Sequence, residues 1–231
     1  MENTKIYPNL RLTLWGVGYL LFQMLALPTV LTVVFYLADL PLDESRLNRL
    51  YYIVNFAALV AIFWRFLVDS LQQAAKNIGA VLIPAAVCFF SCRLASRVMD
   101  IGIYYLFPDF FNVNDANIAT MAQGAFPMWA FSTVVLVPIA EELVFRGALL
   151  GGFYPKHKVL GWIVSALAFC LVHMVGYIGI YSWDILLIGA VQYLPASICL
   201  AAAYHKSGNI FAPILIHSAT NAIAMVSIAL M

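Results

Sequence analysis

Seven apolar runs, each about as long as a bilayer's hydrocarbon core is thick, leave this chain few folds to choose from. They extend from about Leu12 to Ala38, Leu50 to Val68, Ile78 to Val98, Phe126 to Leu150, Val159 to Val175, Asp184 to Tyr204 and Ile210 to Met231. About 20 residues of helix cross about 30 Å of hydrocarbon, and in lipid only a helix or a closed barrel satisfies its own backbone groups. Barrel strands would alternate apolar and polar residues, and these runs do not. The expected fold is all-α: a polytopic transmembrane helical bundle of about seven spans plus interfacial segments. A length of 231 residues alone would suggest one or two soluble domains, but 64% apolar and 10% charged residues overrule that. A net charge of +1 offers no basic field for nucleic acid.

Taken in order, the first run is too long for a cleavable signal and reads as a retained span, kinked at Pro28. Asp39–Arg46 ends it, and Asp43, Glu44 or Ser45 caps the next helix. Asp69–Asn77 reads as a polar connector or interfacial turn. Arg93 and Arg97, four apart, share a face in the last turns of the third span, as an interfacial anchor or as a contact for substrate or headgroup. Met99–Phe111, interrupted by Pro108, reads as interfacial, and Phe111–Gln123, rich in Asn and Asp, as the longest polar loop. Gly151–Pro155 breaks the fourth span, and Lys156-His157-Lys158 is the most basic connector. Cys88, Cys92, Cys170 and Cys199 lie inside apolar runs and read as small packing residues. Two regions are expected: N-terminal helices over 1–125 and a functional core over 126–231. With the N-terminus cytoplasmic, that side receives Lys5, Arg11, Arg65, Lys76, Arg146, Lys156, Lys158 and Lys206. The other side receives Arg46, Arg49 and at most Arg93 and Arg97, so a multi-pass cell-membrane protein with its N-terminus inside is expected. Internal repeats of the kind that mark secondary transporters are absent.

The costly residues cluster. Glu141, Glu142 and Arg146 end the fourth run, His173 lies deep in the fifth, and His217 and Asn221 sit one turn apart in the last. Ionisable groups at membrane depth are kept where they face protein or water and do work. On a helix, Glu142 and Arg146 share a face and pair, while Glu141 projects about 100° away and is left free to act. A carboxylate in a partly dry site is a general base. His217 and Asn221 place two donors side by side, as stabilisation of an oxyanion requires. The bland alternatives are an interfacial charge cluster at 141–146 and a satisfied core histidine at 173.

EELVFR (Glu141 to Arg146), FCLVH (Phe169 to His173) and HSATN (His217 to Asn221) follow one another on three separate apolar helices. This order resembles the intramembrane proteases that include the CAAX prenyl endopeptidase Rce1 and the bacteriocin-processing or abortive-infection (CPBP, Abi) proteins. The resemblance covers about 126–231. It implies that Glu141 and His173 activate a water, that His217 and Asn221 stabilise the oxyanion, and that Glu142, Arg146 and Phe169 support them. It implies an endopeptidase acting on membrane-associated proteins or peptides, prenylated CAAX-type chains among them, with no covalent intermediate and no required cofactor. The alternative is zinc at Glu141, His173 and His217, against which stands the absence of an HExxH pattern. Two other classes fit the composition: a non-catalytic membrane scaffold or immunity protein, and an ion-coupled transporter using Glu141 and the histidines as a relay. The expected partners are a peptide or protein substrate and the bilayer. Nothing in the sequence selects the substrate or the oligomeric state.

Overall fold

The computed structural model describes residues 7–153 and 157–230, which are helical almost throughout, with one isolated bridge between Ile178 and Tyr181. In chain order the helices are α1 (Leu10–Leu25), α2 (Leu27–Leu37), α3 (Glu44–Ile62), α4 (Trp64–Lys76), α5 (Gly79–Leu106), α6 (Val113–Gly124), α7 (Phe126–Phe131), α8 (Val137–Glu142), α9 (Lys158–Val175), α10 (Trp183–Gln192), α11 (Leu194–Ser207) and α12 (Phe211–Ala229). Two π-helical segments, Ser132–Leu136 and Leu143–Gly151, flank α8.

Six stretches are long and apolar enough to cross a membrane: Glu44–Lys76, Gly79–Leu106, Phe126–Gly151, Lys158–Val175, Trp183–Ser207 and Phe211–Ala229. The α1–α2 pair makes a seventh if counted as one span, bent by 55°. Pro28 stands in the first turn of α2, where it cannot donate back to Met24, so the expected kink becomes a break. Large apolar side chains such as Leu14, Trp15, Phe90, Leu94, Val159 and Leu187 are exposed on the outside, a surface suited to lipid. This is a multi-pass membrane protein.

Three segments expected as a polar connector or interfacial helical turn, an interfacial stretch and a polar loop belong to regular helices. Asp69–Lys76 belongs to α4, because Phe66, Ser70 and Ala74 form a buried stripe at intervals of four while Asp69, Gln72 and Lys76 stay exposed. Met99–Leu106 continues α5, since nothing before Pro108 breaks it. Arg93 and Arg97 therefore lie within that helix rather than in its final turns. Most of the expected polar loop 111–123 is α6: Asn112 caps it by accepting from the N–H groups of Asn114 and Asp115, so its polar residues start a helix instead of replacing one. Lys5, Tyr154, Pro155, Lys156 and Met231, named above in the connector, charge and span readings, lie outside the described residues.

The run Phe126–Gly151 is the axis of the bundle. Of its most apolar window 56% is buried inside the protein, against 22–33% for the other five long spans. Neighbours approach it closely through glycine: a Cβ on Gly151 would lie 2.8 Å from the Tyr204 hydroxyl, and one on Gly16 2.5 Å from Ala148 Cβ. On the far side α5 presents Val81, Ala85, Cys88 and Cys92 as one buried stripe, and α11 packs against that helix. Cys88 and Cys92 thus do the packing expected of them.

Candidate active site

Pro138 sets the local geometry of the axial helix. Lacking an N–H, it cannot close an ordinary helical turn, and the helix before it widens so that the Val137 N–H reaches the Ser132 carbonyl, five residues back. Continued by one residue, that register would pair the Thr133 carbonyl with the nitrogen of Pro138, which has nothing to donate. The Asn221 side chain of α12 supplies the missing donor, Nδ2 to the Thr133 oxygen at 2.8 Å. A proline thereby creates the acceptor that ties the last helix to the axis, in the kind of widened segment often found at functional sites.

Glu141 and Glu142 end α8 and enter different surroundings. Glu142 and Arg146 are fully buried, with Nη1 donating to Oε1 at 3.1 Å. The same oxygen accepts from His217 Nδ1 at 2.8 Å. Arg146 Nη2 also donates to the Ser197 carbonyl at 3.0 Å and to its hydroxyl at 3.2 Å. Its guanidinium lies 4.4 Å from the centre of the Phe169 ring, a cation–π contact made stronger by the absence of water. Ionised groups this deep persist only when each has partners. Here a carboxylate, a guanidinium, an imidazole and an aromatic face supply one another, joining α8, α9, α11 and α12.

Glu141 turns the other way, with 23% of its side chain exposed. Its Oε2 lies 3.9 Å from His217 Nε2 and 4.0 Å from His173 Nε2. That oxygen is buried and has no hydrogen-bond partner among the described residues. His173 Nδ1 lies 2.7 Å from the Phe169 carbonyl; because a carbonyl only accepts, this nitrogen carries the hydrogen, and Nε2 faces Glu141 as an acceptor in the neutral ring. Both imidazoles are thus anchored through Nδ1 and present Nε2 to one carboxylate oxygen. The gaps are too long for direct hydrogen bonds and suit a small molecule touching all three groups. Phe169 stands beside both rings, 4.8 Å from His173 and 5.8 Å from His217.

Two cavities meet at this point. An apolar one of about 430 Å³ is lined by Leu200, Ile216, Ala224, Met225 and Ile228, with Thr220 and Asn221, and a more polar one of about 170 Å³ by Gln23, Tyr51 and Asn55 together with Ala140, Phe145 and Val172. Glu141, His173, Tyr52, Asn114 and Val137 line both. The structure therefore brings together Glu141, His173 and His217, which the sequence singled out, and sets Asn221 in the wall of the apolar cavity with one amide hydrogen committed to Thr133. It also adds Gln23, Asn55, Ser197 and Tyr193, which the sequence reading missed. Gln23 and Asn55 had a signal, since polar residues inside hydrocarbon-length runs call for the scrutiny given to His173.

A zinc set would draw on Glu141, His173 and His217, and imidazoles anchored through Nδ1 suit ligation. Tetrahedral bonds of about 2.0–2.1 Å would bring the donor atoms to about 3.4 Å apart, closer than the 3.9 and 4.0 Å found. Among the described residues no group of three His, Cys, Asp or Glu side chains is arranged to hold an ion. The donors suit a metal in chemistry but not in spacing.

Residues 123–223 match the family model described as type II CAAX prenyl endopeptidase Rce1-like. Over that segment the chain is similar to the Rce1-like family. The matched segment takes in the axial helix, α9 with His173, and the part of α12 that carries His217 and Asn221. YbdI of Lactococcus lactis subsp. lactis (strain IL1403) is 28% identical over 130 residues, 53% of this chain and 65% of that protein. YxdF of the same strain is 30% identical over 87 residues, 38% of this chain and 42% of that one. YdiL of Bacillus subtilis (strain 168), provisionally named a membrane peptidase, is 22% identical over 199 residues, 83% and 77% of the two chains. The matches thus span less than two thirds of the lactococcal relatives. No solved structure matches the chain closely enough for comparison.

Proposed function

We propose that the chain is an intramembrane endopeptidase of glutamate type, acting on membrane-associated proteins or peptides, with prenylated CAAX-type chains among the candidates. The observation that carries this reading is the partnerless Glu141 Oε2 facing two Nε2 atoms at 3.9 and 4.0 Å. A water held between Glu141 and His173 gives a proton to the carboxylate as its oxygen bonds to the scissile carbonyl carbon. His217, protonated and held by Glu142 at 2.8 Å, meets the oxyanion through Nε2–H, with the second amide hydrogen of Asn221 beside it. The carbon–nitrogen bond then breaks and Glu141 returns its proton to the leaving amine. The apolar cavity receives the lipid-like or apolar part of the substrate, and the polar one admits water. In this reading the protein sits in a cell membrane with its N-terminus cytoplasmic, as the Lys/Arg asymmetry favours.

The Nδ1 anchors of both histidines also favour a second reading, zinc held by Glu141, His173 and His217. The test is hydrolysis of fluorogenic peptides, prenylated and unmodified, by purified protein in detergent. Wild type, Glu141→Ala and His173→Ala are compared with and without a strong chelator. Activity lost in both variants and kept with chelator supports the glutamate reading. Activity lost with chelator and restored by zinc replaces it with the metal reading. Activity that survives Glu141→Ala overturns both.

A further inference from the structure

Tyr193 stands at the break between α10 and α11, forced there by Pro195 in the first turn of α11. Its ring lies on the His173 imidazole, centre to centre 4.1 Å with planes 23° apart. At the far end its hydroxyl donates to Asp115 Oδ1 at 2.7 Å and accepts from Asn114 Nδ2 at 3.0 Å. Both partners come from the first turn of α6, and both line the apolar cavity. Packing alone would use the ring face and leave the hydroxyl to any nearby acceptor. Here one side chain is fixed at both ends, with the histidine at one and the helix over the cavity at the other.

We infer that Tyr193 is a positioning residue, which holds the His173 ring against Glu141 and is itself held by Asp115 and Asn114. The inference rests on the reading of His173 as a water-holding group. The Nδ1 bond to Phe169 fixes one edge of the imidazole but leaves it free to swing about that bond. A flat ring stacked on its face removes that freedom, and the bonds to α6 keep the flat ring in place. Displacement of α6 then frees His173, so the arrangement of the cavity cover and the geometry of the site change together.

The chain has four histidines, so histidine-selective ¹³C NMR of the purified protein reports on His173 whether or not a substrate is known. The signal is assigned by its loss in His173→Ala. In wild type it carries the upfield displacement of a proton held over an aromatic face. Tyr193→Leu is expected to abolish that displacement and leave the signals of the remote His157 and His205 in place. Tyr193→Phe, which keeps the flat ring but loses both bonds to α6, and Asp115→Ala, which loses one of them, each reduce it part-way. On a cleaved peptide, Tyr193→Leu lowers kcat by roughly 10- to 100-fold, as a misplacement of about 1 Å does, with KM little changed, and Tyr193→Phe, which keeps the stacked ring but not its bonds to α6, loses less than Tyr193→Leu. An unmoved His173 signal in both Tyr193→Leu and Asp115→Ala overturns the inference. Should Tyr193→Leu fail to fold, Tyr193→Phe and Asp115→Ala decide: equal, unaltered spectra in both sink it. A wild type that cleaves nothing counts against the proposed activity, while the His173 signal still decides the role of Tyr193.

Discussion

Glu141 and Glu142 are neighbours in the chain, and the two sides of the axial helix treat them as different groups. On the buried side, Glu142 has both Arg146 and His217 within hydrogen-bonding distance, and neither it nor Arg146 touches solvent. On the cavity side, Glu141 has two imidazole nitrogens near it and a bond to neither, with its inner oxygen unpartnered. The same functional group is spent on cohesion in one place and held unspent in the other. His217 links the two, Nδ1 in the buried cluster and Nε2 in the site. Glu142 Oε2 is also buried without a hydrogen-bond partner among the described residues, so the difference lies in Oε1, which already faces a guanidinium and an imidazole nitrogen, a pairing that makes that carboxylate the poorer base.

The largest effect should come from breaking that asymmetry chemically. Glu141→Gln keeps size and polarity and removes the base, and it should lower kcat/KM by about a thousandfold, within the 10²–10⁴ range of general bases, while the detergent melting temperature stays put. Glu142→Gln should do the reverse in kind, with a clear loss of melting temperature and a smaller loss of activity that follows from His217 losing its anchor. Equal falls in activity with equal melting temperatures would erase the distinction between the two glutamates.

Next in size is the cost of opening the buried cluster. Arg146→Ala leaves fully buried Glu142 with His217 as its one remaining partner, and removal of one member of such a buried pair costs up to about 3–5 kcal/mol. Equilibrium unfolding in detergent should register it. Replacing both, Glu142→Leu with Arg146→Leu, should cost less than Arg146→Ala alone, because no unpaired charge is then buried. A double variant less stable than the single one would mean that the cluster does more than cancel its own charges.

Much of this contrast was legible in the sequence because it depends on helix periodicity. Residues four apart share a face whatever the fold, so the Glu142–Arg146 pair and the separate direction of Glu141 could be read directly, as could a kink at Pro28, though not that it parts two helices. The match in order of three short motifs pointed to the helices that meet. The parts that stayed hidden depend on what lies opposite. Asn112, Asn114 and Asp115 read as loop formers, yet Asn112 caps α6 and the other two hold Tyr193; only the approach of α10 and α11 distinguishes the cases. Tyr193 looked like one aromatic among many, and its partner lies 20 positions away on another helix. Asn221 was expected beside His217 as a free donor, and the claim of Thr133 on it depends on the widened turn at Pro138.

Asn221 sits on the border between the two surroundings, and its substitution should have a smaller effect than those above. Asn221→Ala orphans the Thr133 carbonyl, which is buried, and a buried acceptor left unsatisfied costs about 1–3 kcal/mol. Asn221→Asp should be at least as destabilising, since the carboxylate cannot donate. Unfolding midpoints for the two variants within error of wild type would mean that the bond to Thr133 adds nothing.

The smallest effect separates the two jobs that Asn221 can hold. Pro138→Ala returns a backbone N–H to the position that the widened register would pair with the Thr133 carbonyl, so it offers that oxygen a second donor. If Asn221 is chiefly an anchor, Asn221→Ala should cost less in the Pro138→Ala background than in wild type. The coupling expected is about 0.5–1.5 kcal/mol, the net worth of one hydrogen bond. If the amide also meets an oxyanion through its other hydrogen, the stability cost shrinks while the loss of kcat persists, because the restored N–H lies inside the helix and cannot reach the substrate. A cycle with no coupling in stability would break the argument that Pro138 creates the acceptor. A cycle in which stability and kcat recover together would leave Asn221 on the structural side of the axis with Glu142, and the oxyanion to His217 alone.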